Sequence, residues 1–397
     1  MKRLFIYMVT GCLLSVFQLN TEAQVLTYSD SVEISLLTCS PGKEIWAQYG
    51  HTAIRYNDLK NNNDLAVNYG LFSQDQPYFI LRFTFGLTDY RVGIEPMEDF
   101  LALHAYQGHG VIEQVLNLTK DEKFNIYKAL EENLRPENVV YRYNFFYDNC
   151  TTRAGQILLS NIHGTIQTKE VSTQNNNTFR ECIHEWNKSF VWSQFGEDLL
   201  LGVKADIPFK NKEKEDNFLP DNLRKSFDVT MVNGRPLVKT TRRLLQEPAN
   251  INNKEFPLSP LQISIIFAII ATIILGIQWK KKRMYLWWDL ILMTVSGIIG
   301  LLLFAMIFSD HPCVNLNLII FIFNPLCLIF LVPVVRNVKP GEKHWWWIVW
   351  SISICIGLLG TYFQRIPLPV IIVALFLLMN GIMHGIIFTS NKKIDNE

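Results

Sequence analysis

The sequence has no long basic run apart from the lysines and arginines that flank its apolar stretches. Its 37 Lys and Arg are balanced by 36 Asp and Glu, for a net charge of +1. Such a chain carries no polyanion footprint, so nucleic acid is not an expected partner. Cysteine is also scarce. Of seven in 397 residues, only Cys39, Cys150 and Cys182 lie between positions 24 and 257. An odd number leaves at least one thiol free even where disulfides form. If that one is Cys150, then Cys39 and Cys182 either bridge or are two small buried hydrophobes. Histidines are few, and His104, His109, His163 and His184 have no cysteine beside them and no second histidine at the helical spacing of metal motifs. They read as surface residues, and no metal or other cofactor is expected.

Apolar residues make up 49% of the chain, and almost all of the excess lies beyond Pro257. Apolar runs at 261–279, 285–308, 316–335, 345–363 and 366–389 are each long enough to cross a bilayer. The connectors between them alternate in charge, with Lys280 to Arg283 first, no cation over 309–317, then Arg336, Lys339 and Lys343, then Arg365 alone, then Lys392 and Lys393. The positive-inside rule puts the residues before the first span outside and the C-terminus inside. At the other end, Met1-Lys2-Arg3, an apolar run over 4–17 and Thr21-Glu22-Ala23-Gln24 read as a secretory signal peptide cut after Ala23. A rival reading takes Val9-Thr10-Gly11-Cys12 as a lipoprotein box; with either signal the residues beyond it are exported. The expected units are a signal peptide (1–23), a thiol domain (24–166), an extension packing on it (167–257) and a five-span membrane domain (258–397), placed in the cytoplasmic membrane with the N-terminal part in the periplasm.

Between 25 and 165 the pattern mixes strands and helices. Strands are expected over 32–39, 50–56, 65–72, 79–85, 90–94 and 110–118, and helices over 97–105 and from Thr119, where Thr119-Lys120-Asp121-Glu122 forms a capping box. A turn near 59–61 puts His51 and Asn68 on one sheet face, opposite or one diagonal apart. The stretch Tyr143-Asn144-Phe145-Phe146-Tyr147-Asp148-Asn149-Cys150-Thr151-Thr152-Arg153 reads as an aromatic strand that runs into a polar cap and a helix. Asp148 or Asn149 serves as N-cap, which places Cys150 in the first turn, where unpaired N–H groups and the helix dipole favour a thiolate. Asp148 opposes this unless capping or Arg153 takes its charge. Beyond 167 the chain is polar, with Asn175-Asn176-Asn177 and 210–216 reading as loops.

A cysteine nucleophile needs a base, a group to hold that base and donors for an oxyanion. Cys150, His51 and Asn68 supply the first three in the papain-like arrangement, in which an amide orients the imidazole. The oxyanion donors would be the Cys150 N–H and one from the His51 strand or the 40–44 loop. Histidine precedes cysteine here, so a papain-like fold would be circularly permuted. Arg55 and Arg153 are candidate ligands for an anionic head group or carboxylate. Asp310, His311, Asn315 and Asn317 form a polar cluster at the outer end of spans two and three, while Asp289, Asn324, Asn380 and His384 interrupt apolar spans and read as helix-to-helix hydrogen bonds.

Several blocks together resemble the bacterial Lnb-type periplasmic-domain family: Ser40-Pro41-Gly42, Gly50-His51-Thr52-Ala53-Ile54-Arg55, Asn68-Tyr69-Gly70, Leu116-Asn117-Leu118-Thr119, the 143–153 stretch and Phe218-Leu219-Pro220. The tail, with Ser309-Asp310-His311-Pro312, Asn315-Leu316-Asn317 and Asn324-Pro325, is similar to that family's five-helix membrane module. The resemblance implies an α+β permuted papain-like domain of the NlpC and lecithin:retinol acyltransferase type, followed by an all-α five-helix bundle. It also implies Cys150 as nucleophile, His51 as general base and Asn68 as third polar residue. The expected activity is that of a membrane-anchored periplasmic cysteine hydrolase or acyltransferase. Its partners would be a membrane lipid or lipid-linked substrate first and a cell-wall peptide second. The competing expectation is a non-catalytic envelope module that binds a ligand and signals through its helices.

Overall fold

The computed structural model describes residues 25–72, 77–169, 177–210, 215–247, 256–336 and 344–394. The expected signal peptide lies outside these residues, as do most of the two polar loops at 175–177 and 210–216 and the connector at 337–343.

A seven-stranded sheet organises the first part. Its strands are β1 (Val32–Cys39), β2 (His51–Asp58), β3 (Asn63–Leu71), β4 (Asp89–Pro96), β5 (Val111–Leu116), β6 (Val140–Arg142) and β10 (Val238–Leu245), in the order β10-β5-β1-β2-β3-β4-β6 with every neighbouring pair antiparallel. Period-two alternation sends Ile54, Tyr56, Val67 and Tyr69 to one face. There they meet Ile126 and Leu130 of α3 (Lys120–Asn133), Ala154 and Leu158 of α4 (Cys150–Ser160), and Leu223 and Phe227 of α7 (Pro220–Val229). The other face carries Leu37, Cys39, Ala53 and Ala66, covered by Met97 and Phe100 of α2 (Met97–Gln107). The capping box at Thr119 forms as its sequence requires, with the Glu122 N–H donating to Thr119 Oγ1 and the Thr119 N–H to the Glu122 carboxylate.

Two expectations change here. Residues 79–85 form a helix, α1 (Phe79–Thr84), rather than a strand. Aromatic and β-branched content favours a strand locally, but the carbonyls that a helix end leaves unpaired are taken up from outside. Phe83 O accepts from His311, Thr84 O from Ser309 Oγ (2.8 Å) and Phe85 O from the Asp310 N–H (2.9 Å). The extension after 167 also does more than pack. It contributes α5 (Phe179–Trp186) and α6 (Val191–Leu200), a small sheet of β7 (Ile166–Thr168), β8 (Thr230–Val232) and β9 (Arg235–Pro236), and then the edge strand β10.

Among the described residues, four helical segments are long and apolar enough to cross a membrane: Pro260–Lys281 (α8), Leu286–Ile307 (α9), Leu318–Arg336 and Leu368–Ile386. The last is the core of α12 (Leu368–Ile394), and Leu318–Arg336 breaks at Asn324-Pro325 before α10 (Leu326–Arg336). The fifth run appears as the shorter apolar segment Trp346–Tyr362, which contains α11 (Trp346–Leu359). The interrupting polar residues do pair across helices. Asp289 accepts from Asn380 (2.8 Å) and His384 (3.0 Å), and Asn324 donates to Ser353 (3.2 Å).

The membrane part and the sheet domain meet through the connector at 309–317. Cys313, Val314 and Met306 share one apolar cluster with Tyr49, Phe146, Phe179 and Leu219. Asn317 donates to Leu199 O (2.7 Å), and the Gly202 N–H donates to Cys313 O (2.8 Å). Arg180, fully buried, joins Asp198 and Asp206, and Asp206 in turn accepts from the Arg365 N–H beside the last span.

Candidate functional site

Asn149 is the N-cap of α4. Its Oδ1 accepts from the N–H groups of Thr151 (2.8 Å) and Thr152 (2.9 Å), while its own N–H donates to Thr152 Oγ1 (2.8 Å). Its Nδ2 donates to Phe145 O and Phe218 O, so the Phe218-Leu219-Pro220 block fixes the cap from outside. Cys150 is therefore the first residue of the helix. Its backbone N–H has no partner among the described residues, which suits it to receive an oxyanion. Asp148 is removed from the balance by Arg153, which grips both of its carboxylate oxygens (2.6 and 2.8 Å) while lying 3.5 Å over the Tyr141 ring. The aromatic residues before the cap form a tight turn closed by the Asn144 to Asp148 bridge, not a strand.

The sheet supplies the other two groups. Ala53 is opposite Asn68 in the β2–β3 register, so His51 is one diagonal away, and its Nε2 lies 2.6 Å from Asn68 Oδ1. His51 and Cys150 are close enough to shift each other's ionisation, and with Nε2 committed to Asn68, Nδ1 is the nitrogen left for the sulfur. A break in the β3–β4 register between Asn68 and Leu71 accompanies Gly70 at φ +86°, a conformation that favours glycine. A Cβ on Gly70 would stand 3.7 Å from that of Cys150, so the strand passes close beside the thiol.

Electrostatics follow the geometry. Burial pushes the Cys150 thiol up, but the His51 charge, its hydrogen bond, the Thr52 N–H and the Thr151 hydroxyl bring it down to about 7. Burial pulls His51 down, and the neighbouring sulfur with Asn68 and Glu95 carries it above its ordinary value. The two shifts describe a thiolate and an imidazolium that stabilise each other.

The other candidates are placed differently. Arg55 is held by both oxygens of Asp64 (2.8 and 2.6 Å) and by Glu113 (2.9 Å). His311 and Asn317 spend their side chains on joining the membrane connector to the sheet domain, while Asp310 and Asn315 are exposed at the same seam. Cys39 and Cys182 are both unbridged and buried; one lies in the sheet and the other in the Phe146 cluster. His104 and His109 are corrected from surface to core. Gly108 at φ +75° folds the chain back, so that their Nδ1 atoms meet at 3.0 Å and His104 Nε2 lies 3.5 Å from Cys39 Sγ. The His104 ring stacks 6.4 Å from that of His51, and burial, with His51 and His109, lowers it to about 3, so it stays neutral. Among the described residues no cluster of three or more His, Cys, Asp or Glu could hold a metal ion. Glu95, absent from the sequence-based candidates, accepts from Asn68 Nδ2 at 3.1 Å. The expected strand over 90–94 stops one residue short of it, whereas the observed β4 includes it.

Fold and site together define a multi-pass membrane protein whose α/β domain sets a cysteine at a helix start near a histidine and an asparagine on two neighbouring strands. Family models match over residues 22–185, described as the Lnb N-terminal periplasmic domain, and over 251–392, described as the Lnb transmembrane domain. The chain belongs to the Lnb-type family. No curated protein and no solved structure matches it significantly.

Proposed function

We propose that this protein is a cysteine-dependent hydrolase or acyltransferase that acts at the periplasmic face of the membrane on an amide or ester of a lipid or lipoprotein. A cell-wall peptide is the second substrate class. The observation that carries the reading is His51, held by Asn68 at 2.6 Å and coupled electrostatically to Cys150 at a helix start, with the thiol brought down to about 7. The thiolate attacks the acyl carbonyl carbon, and the Cys150 N–H receives the oxyanion. His51 gives its proton to the leaving group as the carbon–heteroatom bond breaks. Water or an amine then attacks the thioester, His51 takes the incoming proton, and the thiolate leaves. In this reading 24–166 is a permuted papain-like domain, 167–257 its extension, and 258–397 a five-span anchor.

A lipid-linked substrate is favoured by the approach to the thiol. Two residues beyond Gly70, Phe72 begins a series of ring contacts to Phe79 (6.2 Å), Phe83 (6.0 Å from Phe79) and His311 (5.2 Å from Phe83), with Trp46 6.3 Å from Phe72. Trp46, Tyr78 and Leu81 leave 63%, 80% and 59% of their surface open along it. This run of rings starts two residues from Gly70 and ends at His311 beyond α9, and it suits an acyl chain better than a polar peptide. The test is turnover by full-length protein in phospholipid vesicles, with an acylated lipopeptide and a cell-wall peptide compared. Cys150→Ala is expected to abolish acyl release, and undiminished turnover by that variant would remove the nucleophile assignment.

A further inference from the structure

Asn68 is gripped from two sides. Its Oδ1 faces His51 Nε2 at 2.6 Å and its Nδ2 lies 3.1 Å from Glu95 Oε1. The β3–β4 register puts Asn68 opposite Gly93, two residues before Glu95, so both side chains emerge on the same sheet face as His51. Glu95 is partly buried, and among the described residues it forms no ion pair; the Asn68 amide is the side-chain partner it has.

A carboxylate only accepts hydrogen bonds, whereas a carboxamide has one end of each kind. Glu95 therefore turns the amide nitrogen of Asn68 toward itself and leaves the oxygen for the imidazole. An oxygen at that point accepts only from a protonated Nε2. The proton that His51 exchanges is then confined to Nδ1, on the side of the sulfur. With the amide reversed, its NH2 would face Nε2 and repel the imidazolium on which the thiolate depends.

We infer that Glu95 is a positioning residue for the thiol chemistry, fixing the orientation of the Asn68 amide and through it the tautomer of His51. This rests on the proposed cysteine chemistry and extends the contact chain to Cys150, His51, Asn68 and Glu95.

The test measures the pH dependence of Cys150 carboxamidomethylation in full-length protein in detergent micelles, read by mass spectrometry on the Cys150 peptide. Glu95→Ala is expected to raise the midpoint by about one unit. Glu95→Gln, whose Oε1 still accepts from Asn68, is expected to recover most of the difference. In an Asn68→Ala background, adding Glu95→Ala is expected to produce little further shift, because the two act through one path. A wild-type midpoint in Glu95→Ala would overturn the inference, as would a full shift from Glu95→Ala on top of Asn68→Ala. A wild-type midpoint at the ordinary thiol value, unmoved by His51→Ala, would instead sink the cysteine reading and take the inference with it.

Discussion

Replacing His51 by alanine separates what the imidazole does for Cys150 from what the helix does. The thiol sits at about 7, two units below its ordinary 9.0, and the largest lowering influence is His51. Two units correspond to about 3 kcal/mol in favour of the thiolate. Without the ring, burial still opposes ionisation, so the midpoint should return to about 9 or higher. At pH 7 the thiolate fraction then falls from about one half to about 1%. A more basic thiolate is also the stronger nucleophile, by about eightfold over two units at a Brønsted slope near 0.45. Alkylation of Cys150 by iodoacetamide at pH 7 should therefore slow by only about sixfold, and above about pH 8 the variant should overtake the wild type. The crossing of the two pH–rate curves is the signature. Cys39, Cys182, Cys313 and Cys327 are buried, so the rate is read on the Cys150 peptide by mass spectrometry. A His51→Ala midpoint still near 7 would show that the helix start and the Thr52 N–H suffice, and the imidazole would lose its place as the thiol's partner.

Two further outcomes are set by the surroundings. Burial raises Glu197 to about 7, although Tyr49 Oη (2.6 Å) and Asn187 Nδ2 (2.6 Å) donate to it. Between pH 4.5 and 7 the folded chain keeps a proton that the unfolded chain has lost. Stability should therefore fall as pH rises through that window, by up to about 3 kcal/mol. Glu197→Gln is expected to flatten that part of the profile in thermal denaturation of the detergent-solubilised protein, and an unchanged slope would refute the assignment. Gly202→Ala would push a methyl group to 2.0 Å from Leu316 O, at the contact where Gly202 and Val203 donate to Cys313 and Leu316. A loss on the order of 1–3 kcal/mol is expected, seen as faster proteolysis of the 309–317 connector, with no change if the contact is dispensable.

The parts legible in the sequence were those set by local pattern. The Thr119 capping box, the cap before Cys150 and the diagonal placing of His51 against Asn68 all depend on residues close in the chain or joined by one hairpin. What stayed hidden depends on distant partners. Residues 79–85 become a helix because carbonyls at its end meet a connector more than 220 positions later. The pairing of Arg55 with Glu113 requires β5 to sit beside β1, and the coming together of His104 and His109 requires the turn at Gly108 and cover from the sheet. Glu95 reaches Asn68 only across a strand pair whose register later breaks, which no periodicity announces.

The connector at 309–317 grips α1 on one side, Tyr147 and the Phe146 cluster on another, and Gly202 on a third. The sheet is thus not on a leash above the lipid but bolted to the bundle at several points. Cys150 stands at one altitude over the bilayer, and under the proposed cysteine chemistry any bond it is to break must be offered at that altitude. Selectivity can then come from a ruler as well as from a pocket: a molecule of the right chemistry on too long or too short a stalk would never line up.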